Sequence, residues 1–253
     1  MTPDLDRAIG TYAARPSILV ATDFDGVLAP LVHDPSTSRP VPGSIEVLRD
    51  IAALPGVFVT IVSGRDLATL RQLSGVAPQE AITLIGSHGA EPELALPIDV
   101  EVDEAARERL SRAITAFEQV VDRHPGTRLE HKPAGVVLHT RGVPEHVATA
   151  ASRAALAVDI PDVHLMAGKQ VVEASVLDVT KGAALQALSQ LHATTATCYL
   201  GDDVTDEKAF AVLPADAGHL TIKVGPGDTL AAYRIDGPDD VVAVFDAIRR
   251  RRF

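Results

Sequence analysis

Two aspartates, one residue apart, follow the first predicted strand of the chain. The run that begins at Ile18 is apolar and rich in β-branched residues, which predicts a strand buried on both faces. Asp23 and Asp25 come at its end, and Gly26 follows at once. In an extended backbone, side chains two residues apart point to the same side. Two like charges so close are costly unless a cation or a proton lies between them. The stretch therefore predicts a metal site, a catalytic pair of carboxylates, or both.

Further reactive side chains follow later predicted elements: Ser63, Lys181, Asp202, Asp203 and Asp206. Phosphoryl transfer through a carboxylate needs an anionic nucleophile, a divalent cation on oxygen ligands, a fixed cation for the phosphate, and an acid for the leaving oxygen. Asp23 fits the nucleophile and Asp202 fits a ligand of the divalent cation. Lys181 fits the fixed cation for the phosphate, and Asp25 fits the acid. Ser63 would be a neutral hydrogen-bond donor. Each motif alone is also typical of a turn, a helix cap or a solvated charge. Their combination in this order indicates phosphoryl transfer.

The elements that carry these residues alternate between strand and helix. Before residue 100 the pattern predicts strands at residues 57–62 and 81–86 and helices at 3–15, 44–54 and 67–73, with Ser44 as an N-cap. After residue 175 it predicts helices at 180–191 and 241–250 and strands at 197–200 and 220–224. This alternation is typical of a doubly wound parallel sheet, in which ligands bind at the carboxyl ends of the strands. The reactive residues are therefore predicted to share one site.

Between residues 101 and 175 the order of elements changes. The pattern predicts helices at 104–123 and 144–158 and strands at 127–131, 135–140, 163–166 and 170–174. A helix and two strands, repeated, predict an α+β unit with an antiparallel sheet. We therefore predict an α/β core of residues 1–100 and 176–253, with an inserted cap domain of residues 101–175.

Composition limits the partners and the compartment. The formal net charge of −11 argues against nucleic acid or an anionic membrane as a partner. No apolar run has the length that a membrane span needs. The single cysteine, Cys198, excludes an internal disulfide framework, and the acidic start of the chain is unlike a signal peptide, so we expect a cytoplasmic protein. Neither the composition nor the motifs of the sequence indicate whether the protein is a monomer or an oligomer.

The motifs resemble those of a known superfamily. Asp23-Phe24-Asp25-Gly26, Ser63, Lys181 and Gly201-Asp202-Asp203 are similar to the four motifs of the haloacid-dehalogenase-like (HAD) phosphatases. That resemblance implies a Rossmann-like core, and the insertion resembles the superfamily's larger α/β cap, type C2 (αββαββ). More narrowly, the chain resembles the trehalose-6-phosphate phosphatases, through the first and last of these motifs and through Asp34-Pro35, Ser63-Gly64-Arg65 and residues 86–91.

The resemblance implies a reaction and roles for the residues. It implies Mg²⁺-dependent hydrolysis of trehalose 6-phosphate to trehalose and phosphate through an aspartyl-phosphate. Asp23 resembles the nucleophile, and Asp25 resembles the general acid that later acts as the base. Lys181 and Ser63 would bind the phosphoryl group. The metal would be held by Asp23, the backbone carbonyl of Asp25 and Asp202, with Asp203 and Asp206 near or behind it.

The cap would bind the sugar. Its candidate contacts are Glu130, Lys132, Lys169, Glu173 and, less directly, Arg141. Charged side chains can hydrogen-bond several hydroxyls, although the same residues would also suit an exposed strand face. His88 is interpreted as structural, whereas His139 is, like Arg141, a weaker candidate contact that equally suits a packed strand residue. Val27 departs from the threonine usual in the family, which removes a hydroxyl but leaves backbone contacts to phosphate.

Several alternatives remain open at this stage. The core motifs do not separate trehalose 6-phosphate from another sugar phosphate, such as sucrose phosphate or a pseudo-disaccharide phosphate of aminocyclitol biosynthesis, because specificity belongs to the cap. Other classes of function are a phosphotransferase or mutase, a non-catalytic sugar-phosphate sensor, and a dehalogenase.

Overall fold

The computed structural model describes residues 1–168 and 170–252. The strands in these residues are β1 (Ile18–Thr22), β2 (Val57–Val62), β3 (Ile82–Gly86), β4 (Glu91–Pro92), β5 (Arg128–Lys132), β6 (Gly135–His139), β7 (His164–Gly168), β8 (Val171–Ser175), β9 (Ala196–Gly201), β10 (Leu220–Val224) and β11 (Tyr233–Ile235). The α-helices are α1 (Pro3–Ala13), α2 (Ser44–Ala52), α3 (Leu67–Ser74), α4 (Glu104–Arg123), α5 (Glu145–Leu156), α6 (Lys181–Leu191), α7 (Val204–Ala211) and α8 (Pro238–Arg251).

The first compact unit comprises Met1–Ile98 and the chain from Val179 onward. Its seven strands have the order β11-β10-β9-β1-β2-β3-β4 and are parallel except for the β3–β4 pair. β1 is central, with Val20 paired to Val59 of β2 and to Cys198 of β9. Because β1, β2 and β9 are parallel, their carboxyl ends meet at one edge of the sheet. Asp23, Ser63 and Asp202 follow those ends, whereas Lys181 is the first residue of α6.

Helices cover both faces of this sheet. Alternate residues of β1 point to opposite faces: Ile18 and Val20 pack with α1, α2, α3 and α8, whereas Leu19 and Ala21 pack with α6 and α7. Every residue of β1 and β9 is buried, which explains why these strands are continuous apolar runs rather than alternating ones. Burial of one aliphatic side chain contributes about 1.5–3 kcal/mol to the free energy of folding. Because β1 and β9 bury every side chain, the sheet is a stable support for the loops at its edge.

The second compact unit is Asp99–Asp178. Its four strands have the order β5-β6-β8-β7, and all neighbouring pairs are antiparallel. Val136, Leu138 and Val172 pack against α4 and α5 on one face. Glu130 pairs with Val137, and Val137 pairs with Glu173, so these residues point to the opposite face of the sheet.

The predicted fold class is confirmed: a doubly wound, mainly parallel α/β sheet with an inserted α+β unit. Some local predictions are wrong. Gly43, in a left-handed conformation, is the N-cap of α2, and the Ser44 hydroxyl donates to the Val41 carbonyl instead. The predictions also missed α7, β4 and β11, and α8 begins at Pro238, where a proline at the first position and two acidic residues mark a helix start. No helix in the described residues is both long enough and apolar enough to cross a membrane.

Candidate active site

Asp23 lies at the centre of the edge where the strands end. It is buried, and its backbone N–H donates to the Leu200 carbonyl (2.9 Å), which ties the end of β1 to β9. Its Oδ1 accepts the Phe24 N–H (2.7 Å), and its Oδ2 lies 2.8 Å from Nζ of Lys181. Burial raises the pKa of Asp23 well above its usual range; Lys181 opposes the rise, and the carboxylates of Asp206, Asp203 and Asp202 add to it.

Lys181 is the cation of this site. It is the first residue of α6, which Thr180 caps by accepting the Ala183 N–H. A helix N-terminus disfavours a positive charge, and the side chain is only 1% exposed. Two carboxylates compensate for this, since Nζ is 2.8 Å from Asp23 Oδ2 and 2.8 Å from Asp206 Oδ1. Burial alone would lower the pKa of Lys181, but these carboxylates raise it well above its usual value, so the lysine is charged.

Asp206 is saturated by protein donors. Its Oδ1 accepts hydrogen bonds from Lys181 Nζ and from the Tyr199 hydroxyl (2.6 Å). Its Oδ2 accepts the backbone N–H groups of Asp202 (2.8 Å) and Asp203 (3.0 Å). One carboxylate oxygen from each of Asp23, Asp202 and Asp206 lies within 4.8 Å of the others. Each oxygen of Asp206 already accepts two hydrogen bonds, whereas each oxygen of Asp23 has one such partner in the described residues. We therefore infer that Asp206 orients the loop and that Asp23 and Asp202 are the better candidates to present oxygens to a cation.

Asp203 caps helix α7. Its Oδ1 accepts the Thr205 N–H (2.8 Å), the Thr205 hydroxyl (2.7 Å) and the Asp206 N–H (3.2 Å), and with Asp206 it forms a capping box. Desolvation opposes ionisation of Asp203, but the Lys181 charge and the hydrogen bonds from Thr205 outweigh it and lower its pKa to about 2. The carboxylate of Asp203 does not belong to the group of three whose oxygens lie together in the described residues.

Asp202 lies against the loop that follows Asp25. A Cβ placed on Gly26 would be 2.1 Å from Asp202 Oδ2, and Gly26 has a φ of +79°, so only glycine fits there. Burial, followed by the charges of Asp206 and Asp203, raises the pKa of Asp202 to about 7. Asp23 and Asp202 thus offer hard carboxylate oxygens whose ionisation is opposed by burial and by neighbouring carboxylates. Such a pair fits a divalent cation, which would remove that opposition.

The raised pKa of Asp202 predicts a pH dependence of stability. The folded pKa of about 7 exceeds the ordinary 3.8, so the stability that Asp202 contributes is full below about pH 4 and is lost as the pH rises to about 7. In EDTA, the free energy of unfolding of the wild type should therefore fall, relative to that of Asp202→Asn, between about pH 4 and pH 7. Urea unfolding of both proteins across that range measures the difference. A difference that does not change with pH would contradict the assignment. Asp103→Asn, at the N-cap of α4 in the inserted unit, is the control for the substitution.

Within the described residues, Asp25 and Asp23 have no hydrogen-bond or ion-pair partner in common. β1 ends at Thr22, so the strand alternation used in the prediction does not extend through the two aspartates. Asp25 Oδ2 accepts Arg65 Nε (2.6 Å), and Oδ1 accepts Arg65 Nη2 (2.7 Å) and the Ser38 hydroxyl (3.1 Å). The two carboxylates therefore have separate electrostatic partners, Lys181 for one and Arg65 for the other.

Ser63 follows β2 at the same edge of the sheet. It is buried, and its hydroxyl oxygen accepts the Arg65 N–H (3.2 Å). Its carbonyl accepts the His88 N–H (2.9 Å). A Cβ on Gly64 would lie 2.5 Å from the His88 ring, so that ring packs directly on the Ser63–Arg65 turn.

The candidate sugar contacts form pairs on the helix-free face of the inserted sheet. Lys132 Nζ lies 2.7 Å from Glu173 Oε2, and the two side chains are only 6% and 10% exposed. His139 Nε2 lies 2.7 Å from Glu130 Oε2, so His139 contacts a predicted site residue rather than only packing in a strand. Arg141 follows β6, and its Nε donates to Gln170 Oε1 (3.3 Å). Lys169 lies outside the described residues.

The sequence predictions missed several residues that hold the site. Lys223 is buried in β10, donates to the Asp202 carbonyl, and lies 4.0 Å from Glu207. A lysine inside the apolar run Leu220–Val224 was the available signal, because an unpaired charge is not stable in a buried strand. Ser38 and Tyr199 could not be identified in this way, because serine and tyrosine occur at many buried positions and their presence in the sequence does not indicate a site.

The comparison with known families decides the relationship. A family model described as trehalose-phosphatase matches residues 21–238. The chain belongs to the trehalose-phosphatase family. The predicted resemblance is thereby confirmed. A trehalose-phosphate phosphatase of Mycobacterium leprae is 34% identical over 98% of this chain and 62% of the relative. The chain of this family member thus spans less than two thirds of that relative's length.

Solved structures agree with the fold of this trehalose-phosphatase family member. The C-terminal domain of a trehalose-6-phosphate phosphatase from C. albicans has a TM-score of 0.81 at 22% identity, over 98% of this chain and 97% of that one. A trehalose-6-phosphate phosphatase from Aspergillus fumigatus has a TM-score of 0.67 at 26% identity, with coverage of 98% and 97%. At 22% identity the first similarity establishes the fold alone.

Proposed function

We propose that this protein is a Mg²⁺-dependent phosphatase that hydrolyses trehalose 6-phosphate to trehalose and phosphate through an aspartyl-phosphate on Asp23. The observation that carries the proposal is the buried Asp23 carboxylate, paired with Lys181 at 2.8 Å and grouped with Asp202. Burial and the neighbouring carboxylates oppose ionisation of Asp23, and the Lys181 ammonium acts against them. The proposed Mg²⁺ would add a second positive charge that favours the anionic nucleophile. Membership of the trehalose-phosphatase family and the relatives' names support the substrate.

The proposed reaction has two displacements at phosphorus. In the first, a carboxylate oxygen of Asp23 forms a bond to phosphorus while the bond from phosphorus to the sugar oxygen breaks, and Asp25 gives its proton to that oxygen. In the second, Asp25 takes a proton from a water whose oxygen attacks the same phosphorus, which releases phosphate and regenerates Asp23. Lys181 and the Ser63 hydroxyl would bind the phosphoryl oxygens.

The residues present fit a Mg²⁺ ion. Asp23 and Asp202 would hold it together with the backbone carbonyl of Asp25, and Asp206 and Lys223 would fix the Asp202 loop through its backbone. When bound, the ion would neutralise the repulsion between the Asp23 carboxylate and the phosphate dianion. Asp203 would act through the start of α7, which it caps.

The inserted unit is proposed to be a cap that recognises the sugar. The helix-free face of its sheet holds the Lys132–Glu173 and His139–Glu130 pairs. Charged pairs with partly shielded side chains can exchange hydrogen bonds with several hydroxyls and disfavour ligands that lack them. Arg141 and Lys169 complete the proposed set of sugar contacts. A cytoplasmic location belongs to the same proposal, supported by the single, buried Cys198.

The rival functions differ in what they require. A sensor needs no acid or base, whereas Asp25 is held in position by three hydrogen bonds at the edge of the site. A dehalogenase would work without Mg²⁺, and a phosphotransferase or mutase would pass the phosphoryl group to a sugar rather than to water. A phosphatase for another sugar phosphate would share the whole core and differ only in the cap.

A substrate panel tests the proposal. We expect phosphate release to be fastest from trehalose 6-phosphate, compared with sucrose phosphate, glucose 6-phosphate and p-nitrophenyl phosphate, and to stop in EDTA. Lys132→Met should raise KM for trehalose 6-phosphate by about 10-fold or more, because it takes a positive charge away from buried Glu173 and removes a proposed sugar contact. Its kcat/KM for p-nitrophenyl phosphate should stay unchanged. Faster turnover of another disaccharide phosphate would refute the substrate, and activity that survives EDTA would refute the Mg²⁺ dependence.

A further inference from the structure

Arg65 has no role in the reaction as described above, yet it makes the closest contacts of the proposed general acid. Its guanidinium meets both oxygens of Asp25, with Nε at 2.6 Å from Oδ2 and Nη2 at 2.7 Å from Oδ1. The buried Ser38 hydroxyl adds a third donor at 3.1 Å from Oδ1. Two parallel N–H···O bonds fix the plane of a carboxylate, which one ammonium group does not do.

Arg65 is itself held in place. Its backbone N–H donates to the Ser63 hydroxyl oxygen (3.2 Å), and its guanidinium carbon lies 5.8 Å from the centre of the Phe24 ring. The side chain is 14% exposed, and the Asp25 side chain is 30% exposed. Arg65 therefore links the loop after β1 to the turn after β2 through its contact with Asp25. In the described residues, Lys181 contacts Asp23 and Asp206 but not Asp25.

We propose that Arg65 is a positioning residue for Asp25, which it holds at the edge of the site in one orientation so that proton transfer to the sugar oxygen needs little reorganisation. This inference rests on the proposed function, because it assigns Arg65 a part in the step that Asp25 carries out. Orientation of a catalytic group before the reaction lowers the entropic cost of the step. The effect of Arg65 should therefore appear only where the departing oxygen needs a proton.

The leaving group of the substrate separates this role from a purely structural one. A sugar alkoxide is a poor leaving group and needs a proton from Asp25, whereas p-nitrophenolate departs without one. The ratio kcat/KM reports the steps up to the first irreversible one, which here is the transfer of the phosphoryl group to Asp23. It therefore excludes the later hydrolysis, in which Asp25 acts on water with every substrate.

The experiment measures kcat/KM of Arg65→Met, Arg65→Ala and the wild type on trehalose 6-phosphate and on p-nitrophenyl phosphate. Both variants should lose about 10- to 100-fold on the sugar phosphate, within the range of general-acid contributions, and less than about 3-fold on the aryl phosphate. Added guanidinium ion should restore part of the loss in Arg65→Ala. Arg49→Met is the matched control, since Arg49 makes the same two-bond contact with Glu80 on the surface, and it should change neither value.

Each other outcome has a definite meaning. Equal losses on both substrates, or no loss on either, would overturn the proposal. If the arginine variants do not fold, Ser38→Ala is used instead. It should lower kcat/KM by a smaller factor, and again only for the sugar phosphate. A wild type that prefers another alkyl phosphate corrects only the substrate, and the test then uses that ester. A wild type that hydrolyses aryl but no alkyl phosphates would refute the general-acid role of Asp25 and this inference with it.

Discussion

Replacing Asp23 with asparagine should lower phosphate release from trehalose 6-phosphate by about 10⁴-fold or more, the scale seen when a catalytic nucleophile is removed. The amide cannot attack phosphorus, and the change also removes one of the two carboxylates proposed to hold the cation. The variant should remain folded, because Asn is close in size to Asp and Lys181 keeps its contact with Asp206. Phosphate release and circular dichroism measure the two effects.

A matched change controls for the chemistry of the substitution. Asp103→Asn alters a carboxylate that caps α4 by accepting the Ala106 N–H, a role that asparagine fills equally well. It should leave both activity and stability unchanged. If Asp23→Asn is folded and its activity lies within 10-fold of the wild type, the covalent mechanism is refuted.

Replacing Lys181 with methionine should damage both stability and activity. The change leaves Asp23 and Asp206 buried beside each other without their shared cation, and breaking a buried ion pair in this way costs about 3–5 kcal/mol. It also removes a proposed ligand of the phosphoryl group, so phosphate release should fall by about 10³-fold or more. Urea unfolding measures the loss of stability. EDTA is present so that a bound cation cannot replace the lost lysine charge.

Two further variants test the electrostatic origin of that loss. Lys208→Met changes an exposed lysine of α7 and should alter the free energy of unfolding by less than about 0.5 kcal/mol. In the double variant Asp23→Asn/Lys181→Met, one of the two uncompensated charges is gone, so part of the stability should return. A double variant whose loss equals the sum of the two single losses would show that Lys181 and Asp23 are not coupled.

The sequence predicted most of the core because each core element carries its own local signal. β2 and α4 have the predicted bounds, since a continuous apolar run between turn signals and a long amphipathic pattern behind an aspartate N-cap leave few alternatives. α7 escaped prediction because its first turn is the acidic motif itself; the motif was weighed as a possible helix cap, but no helix was placed after it. β4 and β11 are edge strands of two and three residues, too short to show a period.

The candidate site was predicted as a set of residues but not as a set of contacts. The spacing of Asp23 and Asp25 suggested a shared partner, whereas the chain turns after Thr22 and gives each carboxylate its own cation. Nothing local in the sequence specifies that Arg65 reaches Asp25 or that Lys223 reaches the Asp202 carbonyl, because these contacts join segments that only the sheet order brings together. Likewise, the pairing of Lys132 with Glu173 depends on the β5-β6-β8 order of the inserted sheet.

The most direct test of the account is to trap the covalent intermediate. The wild type is mixed with trehalose 6-phosphate and Mg²⁺, quenched in acid within one turnover, and treated with hydroxylamine, which converts an acyl phosphate to a hydroxamate; peptide mass spectrometry then locates the modified residue. We predict a hydroxamate at Asp23, absent without substrate and absent in Asp23→Asn. Rapid phosphate release with no modification, or with modification at another carboxylate such as Asp25 or Asp202, would contradict the assignment of Asp23 as the nucleophile.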